Sequence, residues 1–551
     1  MVINITQKQD EWDREREHLL LHIAELTRQV EWWQAQWRLL THHRFGASQE
    51  RSDPVQLNLF NEAQMLAGDD PDPVDEAEGQ VITYRRKKHR GQRELDLAGL
   101  PVVRILHELP KEEQQCPEGH GLMHIMSEDV HRELDFVPEQ LRVIEHVKWV
   151  YSCRTCEREA LTVPIVTAPA PPRLYPGSLL SASVLTEILH SKYVLGVPLY
   201  RQEQDWARRG VWLSRQTMAN WVLIGADQWL APLWDVLHQE LVQRSILQAD
   251  ETTLQVIHET GRAANQKSYL WLYRTGETPV DEGGEGGAAI VLYDYQPSRS
   301  GEHPKAFLTG FQGYLQVDGY SGYHSLEGVT LAGCWAHARR KFQEALEGLP
   351  AQARDGPNLI RQGLDFCNRL FAVERDIRAL SPEQRTEARR VRSRPILAAF
   401  LRWLRAQNRV ILPKSLLGKA VTYCLNQWQP LTTFLQDGRL AIDNNRAERS
   451  IKPFVIGRKN WLFANTAKGA RASAVIYSIV ETAKENGLNP RAYLQYLLEQ
   501  LPHRDLKDPP TWADLLPWAT TLPAHVRTPR RARPAWTDRS SVVPTSPVGP
   551  I

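Results

Sequence analysis

Apolar positions change period several times along the chain, and each change predicts a different element. Leu19, Ile23, Leu26, Val30, Trp33, Trp37 and Leu40 alternate steps of four and three, which is the seam of a coiled coil and predicts a self-associating helix within residues 1–46. The period is lost over 47–95. From Val102 to Val163 apolar residues recur every second position, clearest in LRVIEHVKWVYSC, which predicts a strand hairpin and a small β module over 96–166. A proline-rich connector, APAPPRLYP, leads into a helical region, 167–243. β-type runs follow at ILQADETTLQVI, KSYLWLYRT, AIVLYDY and YLQVDGYSGY, and together define the first part of a core, 244–333. Helical sequence takes over as an insertion, 334–440, and the core resumes over 441–502. The remainder, 503–551, reads as a loose, largely disordered tail. The fold class expected is therefore α/β and multidomain, a core interrupted by a helical insertion.

Composition narrows the classes. With 67 Lys+Arg against 65 Asp+Glu, the net charge of +2 excludes a uniformly basic coating protein and an acidic disordered one. The balance hides segregation: residues 47–80 carry nine acids against one base, and six Lys/Arg fall between Arg85 and Arg93. An acidic linker followed by a basic run is expected there. Six cysteines in 551 residues are too few for a disulfide scaffold, so a reducing, cytoplasmic compartment is expected. The N-terminus lacks a signal-peptide core and no run of 18 apolar residues occurs, so no membrane partner is expected.

Candidate chemistry lies in three places. Cys153 and Cys156 follow a strand as half of a zinc knuckle, and Cys116 with His120 supplies the other half; thiolate and imidazole are ligands that Zn²⁺ prefers. The fourth position stays open among His120, His124 and a water. The segment LYRQEQDWARRGVWLSRQTMANWVL reads as helix, turn at Gly210, and a second helix opening at Ser214. That helix would present Arg215, Gln216 and Asn220, residue types that bond base edges and phosphates. Asp250 and Asp318 each end an apolar run, and Glu448 sits in DNNRAERSIKP, where Asn444 or Asn445 can cap a helix. Three gathered carboxylates call for cations, and all-oxygen ligands select Mg²⁺ or Mn²⁺. Two such ions about 3.5–4 Å apart support in-line phosphoryl transfer. Arg449, Lys452, Arg458 and Lys459 follow Glu448 and could hold the phosphates, while Trp461 and Phe463 add aromatic surface.

The stretches LQADET, QVDGYSGY, CWAHARRKF and DNNRAERSIKPFVIGRKNWLFANTAKGARASAVIYSIVETAKENGLNP together resemble the transposases of the insertion-sequence 66 family. The resemblance spans nearly the whole chain and includes RFGASQER, KYVLGVPLYRQEQDWARRG and DLLPW. It implies an RNase H-like core whose Asp-Asp-Glu triad is matched by Asp250, Asp318 and Glu448, with two metal ions per active site. It further implies cleavage of element ends and joining of the freed 3′-hydroxyls to target DNA. An assembly of at least two protomers and accessory proteins from the same element are implied partners, and a nucleoid-associated location follows. Cys334 and His337 fit the Cys-x-x-His signature that such enzymes carry at the start of the insertion, in a supporting role and not as metal ligands. Where the family commonly has a second cysteine three residues after the first, this chain has Gly119 and then His120. Two other readings use the same residues: an inactive, transposase-derived protein that binds DNA ends as a repressor, and an RNase H-like nuclease that cuts without joining.

Overall fold

The computed structural model describes residues 102–528, apart from 138–139, 160–161, 163, 277–286, 355 and 506–508, and most of residues 15–37. The acidic linker, the basic run and the chain after Thr528 lie outside the described residues. The described part of 15–37 is helical, and the seam residues Leu19, Ile23, Leu26, Val30, Trp33 and Trp37 are exposed on the single chain.

The first sheet holds β1 (Val102–His107), β2 (His124–Val137), β3 (Gln140–Ser152) and β4 (Ile165–Thr167). β2 and β3 form a long antiparallel hairpin; β1 adds to β3 in parallel and β4 adds antiparallel at its far end. The far end of this sheet closes over a separate small core of Leu109, Cys116, Met123, Tyr151, Cys153, Cys156 and Ala168.

Helices α1 (Ala182–Tyr193), α2 (Leu199–Arg208), α3 (Arg215–Ile224) and α4 (Ala231–Val242) follow. Ser214 caps α3, its hydroxyl accepting from the Thr217 amide at 3.1 Å, and Gly210 takes the left-handed turn between α2 and α3 at φ +86°. A π-helical segment at 225–230 joins α3 to α4 just ahead of Pro232. Gly225 lets α1 pack closely there, since a Cβ would stand 2.8 Å from Leu185 Cδ2 and push that side chain aside.

The second sheet has the order β7 (Val291–Gln296), β6 (Lys267–Thr275), β5 (Ile246–His258), β8 (Gly313–Val317), β9 (Val329–Gly333). β5, β6 and β7 are antiparallel neighbours; β8 runs parallel to β5 and β9 parallel to β8, while the short β10 (Ala464–Thr466) extends the far end of β5. Between β9 and β10 the chain departs into helices that include α5 (Trp335–Glu347), α6 (Leu359–Asp376), α7 (Arg394–Asn408) and α8 (Leu416–Asn426). These have their own core around Trp335, Phe342, Phe400 and Leu404. The chain returns as α9 (Asn445–Trp461), then α10 (Ala467–Glu485) and α11 (Pro490–Gln500), whose buried faces share the main core with the second sheet and α1–α4.

The expected loose tail needs correction in its first part. Trp512, Leu515 and Val526 are fully buried in the main core, the Tyr493 hydroxyl donates to the Leu515 carbonyl at 2.7 Å, and the Asn489 amide donates to the Val526 carbonyl at 2.8 Å. Average composition misses this because a few large apolar side chains, spaced without a helical or strand period, carry the packing. Trp461 is core as well: it meets Tyr193 edge-on and Tyr477 at a tilt, with the Lys192 ammonium 4.5 Å from its ring.

Candidate active site and metal clusters

Register brings the first two acids together. In the parallel pair of β5 and β8, Gln248 stands opposite Gln316, and the two buried side chains hydrogen-bond at 2.8 Å. Two residues on, Asp250 lies inside β5 opposite Leu272 of β6 and Asp318 lies just past the end of β8, so the two come at the same level on the same side of the sheet. Gln316 also donates to the Ala441 carbonyl at 2.8 Å, and Asn444 donates through Nδ2 to the Ala249 carbonyl at 2.8 Å. This buried amide network fastens the approach to α9 against the strand ends. Asn444 holds the N-cap position, yet its side chain is spent on β5 and does not cap α9 as the sequence predicts. Replacing Asn444 with alanine would leave the Ala249 carbonyl without its partner; a loss of about 1–3 kcal/mol in denaturant unfolding is expected.

Glu448 lies one turn into α9, half-buried. On the sheet side, Arg274 of β6 is fully buried and bonds Ser450, the Arg446 carbonyl and Glu485, which fixes α9 and α10 to the same strand. On the other side, Glu448 Oε2 meets Arg340 Nη2 at 3.3 Å, and Oε1 stands 3.7 Å from His337 Nδ1. Neither Oε1 nor Nδ1 has a hydrogen-bond partner. Cys334, His337 and Glu448 place their ligand atoms within 4.8 Å of one another, a grouping that the sequence reading, which left the first two out as ligands, did not foresee. Cys334 is also a backbone anchor: its sulfur accepts from the Asn444 amide at 3.2 Å.

The Asp318 end is clamped by the insertion. Its carboxylate accepts from the Tyr320 amide at 3.0 Å, and its carbonyl accepts from the Tyr423 hydroxyl of α8 at 2.7 Å. Gly319 is left-handed at φ +99°, and a Cβ there would press on Gln427 at 3.0 Å, so only glycine fits the turn. Beside it Glu251 is buried and held by Arg299 and by the Tyr323 hydroxyl at 3.0 Å.

Electrostatics mark the acids as one group. Burial raises the Asp250 carboxyl to about 8, with Glu251, Asp318 and Glu448 each adding to the rise. Burial and Asp318 also raise Glu251, against the pull of Arg299. A carboxyl raised in the folded state disfavours folding once the unfolded chain ionises. The burden is absent below the ordinary pKa near 4 and grows as pH rises toward 8. Asp250→Asn should therefore raise the thermal midpoint of protein free of divalent cations at pH 8, with the gain vanishing toward pH 4.

The cysteine cluster is compact. Cys116, His120, Cys153 and Cys156 place their ligand atoms within 4.8 Å of one another. Cys116 Sγ lies 3.9 Å from Cys156 Sγ and 3.7 Å from His120 Nδ1; His120 Nδ1 lies 3.2 Å from Cys156 Sγ and 3.6 Å from Cys153 Sγ. A tetrahedron with Zn–S of about 2.3 Å and Zn–N of about 2.0 Å has edges of roughly 3.5–3.8 Å, so the four donors already approach that geometry. The Cys156 amide, donating to Cys153, brings that thiol down to about 6 and favours the thiolate a metal needs. His124 is turned away, its Nε2 3.4 Å from Ser152 Oγ.

The other sequence candidates divide by environment. Gln216 is exposed and Asn220 half-buried on α3, but Arg215 is engaged, its amide and guanidinium both facing Glu203 of α2. Arg449, Lys452 and Lys459 are exposed on one face of α9. Arg458 is half-buried and donates to the Thr253 carbonyl, so it ties α9 to β5 in place of reaching solvent. Among the described residues no helix is long and apolar enough to cross a membrane.

A family model described as Transposase IS66 family matches residues 177–472. Others match as the zinc-finger binding domain of transposase IS66 over 113–157, the IS66 C-terminal element over 478–518, and Transposase C of IS166 homeodomain over 32–105. The chain belongs to the IS66 family of insertion-sequence transposases. It is 34% identical to the uncharacterized protein y4jD of Sinorhizobium fredii, over 71% of this chain and 75% of the relative. It is 31% identical to y4hP of the same organism, over 73% and 72%, and 33% identical to y4qI, over 68% and 69%.

Proposed function

We propose that this transposase cuts element ends and joins their 3′-hydroxyls to target DNA by phosphoryl transfer, with Asp250, Asp318 and Glu448 as the catalytic carboxylates. The observation that carries the reading is the Gln248–Gln316 register, which sets Asp250 and Asp318 side by side while Asn444 fastens the Glu448 helix to the same strand. The strand order, three antiparallel strands continued by two parallel ones, supports an RNase H-like core with a helical insertion.

The donors fit hard divalent cations. All are oxygens, burial and then the neighbouring carboxylates raise the Asp250 carboxyl to about 8, a burden that a bound cation would relieve, and Glu448 Oε1 has no hydrogen-bond partner. Asp250, Asp318 and Glu448 would hold two Mg²⁺ or Mn²⁺ ions. When bound, the ions supply an activated hydroxyl nucleophile and charge neutralisation at the leaving oxygen. The protein's own part is positioning: the amide network fixes the strand ends, and Arg449, Lys452 and Lys459 offer charge to the DNA backbone. Gln216, exposed on α3, and the half-buried Asn220 are residue types that would read base edges. Hydrolysis breaks the phosphodiester at the element end and leaves a 3′-hydroxyl; its oxygen then attacks a target phosphodiester and displaces the target's 3′-oxygen. The Cys116, His120, Cys153 and Cys156 cluster would hold one Zn²⁺ as a structural site. The exposed seam from Leu19 to Trp37 supports self-association, which pairing two element ends requires.

The test is incubation of an end-labelled element end with a target plasmid and Mg²⁺. Joined products are expected. Hydrolysis without joining would point to a nuclease, and binding without nicking under Mg²⁺ or Mn²⁺ to a DNA-end-binding repressor.

A further inference from the structure

A cleft of about 600 Å³ opens between α5 and α6 of the insertion and the start of α9. Arg339, Arg340, Arg375, Asn368, Phe371 and Asn445 line it, and no acidic side chain does. Asn445 is the first residue of α9, three before Glu448, and Arg340 reaches from the cleft wall to the Glu448 carboxylate at 3.3 Å. The cleft therefore adjoins the proposed reaction centre. It is distinct from the basic face of α9 and from α3.

Its chemistry is selective. Arg339 and Arg375 are exposed, Arg375 has no ion-pair partner among the described residues, and Arg339 is held in place by Asn368 Oδ1 at 2.8 Å. Guanidinium groups beside neutral amides, with no carboxylate among them, suit a phosphodiester and the polar edge of a base. Phe371, half-buried at the wall, supplies an aromatic face of the kind on which an unpaired base stacks. The volume falls in the range of small-molecule pockets and exceeds what a lone phosphate needs.

We propose that this cleft takes an unpaired nucleotide of the DNA strand next to the scissile phosphate, its phosphate on Arg339 and Arg375 and its base against Phe371. The insertion is then a third DNA-contacting element. This rests on the phosphoryl-transfer reading above, and the experiment separates the two.

Binding is measured by fluorescence anisotropy in Mg²⁺-free buffer at several salt concentrations, on an element end with a single-stranded overhang and on a blunt one. The double variant Arg339→Ala with Arg375→Ala should bind the overhang end at least about tenfold more weakly near ~0.1 M salt, and its log–log salt slope should fall by about 0.7, one single-strand phosphate contact's worth. Phe371→Leu, which keeps apolar packing, should weaken the overhang end several-fold and leave the blunt end unchanged. Unaltered affinity and slope in the double variant would overturn the proposal. Strand transfer is scored on the same preparations. If the parent joins ends while the cleft variants bind normally, the cleft fails alone; if Asp250→Asn joins ends like the parent, the catalytic reading fails first.

Discussion

Glu448→Gln and Asp250→Asn are each expected to lower element-end cleavage by at least about a thousandfold, roughly 4 kcal/mol of transition-state stabilisation, while the affinity for DNA stays within a few-fold of the parent. Both substitutions keep the size of the side chain and remove its charge. Each carboxylate would contribute to holding cations that act on the reacting oxygens, whereas the contacts that position DNA come from exposed cations and amides elsewhere. Glu448 is half-buried and joined to its surroundings through Arg340 and His337 at the surface of α5, so glutamine there leaves the core intact. Single-turnover cleavage of a labelled end, beside anisotropy on the same DNA, checks both halves. Loss of binding in parallel with cleavage would place these residues in DNA recognition.

Removing metal from the cysteine cluster is expected to unfold the far end of the first sheet and leave the second sheet folded. Three of the seven buried residues in that small core are the cysteines themselves, and a core of four remaining side chains is too small to hold the turn from Leu109 to Met123. Cys156→Ser, or treatment with a strong chelator, should abolish binding of one zinc per chain. Amide exchange across residues 108–123 and 152–158 should rise to near the unstructured rate, while protection in β5 and β8 is kept. His124→Ala should retain the zinc, because His124 faces Ser152; loss of zinc in that variant would reassign the fourth ligand.

What could be read from the sequence follows from how local each signal is. Asp250 and Asp318 each follow a short buried run, Ile246–Ala249 and Leu315–Val317, and that pattern is visible residue by residue, although β5 continues past Asp250 to His258. Ser214 announces its helix for the same local reason, as does Asn489 ahead of Pro490, accepting from the Arg491 and Ala492 amides. The surroundings of Glu448 were out of reach: Arg340 lies 108 positions away in sequence, and only the return of the chain after the insertion brings them together. The same holds for Asn444, where a capping residue type is diverted to a strand carbonyl 195 positions distant. Residue type could not show that Arg215 faces Glu203 or that Arg458 donates to the Thr253 carbonyl, since both partners come from other elements. Trp512, Leu515 and Val526 were hidden in a stretch whose average composition is that of a tail.

Asp250, Asp318 and Glu448 are proposed to act on one shared set of cations. The most direct measurement is anomalous scattering from Mn²⁺ in crystals of the protein bound to an uncleaved element end. Mn²⁺ is expected between the carboxylates of Asp250 and Asp318, with Glu448 turned from Arg340 to meet it. Manganese bound by Cys334, His337 and Glu448 alone, with Asp250 and Asp318 free of metal, would contradict that.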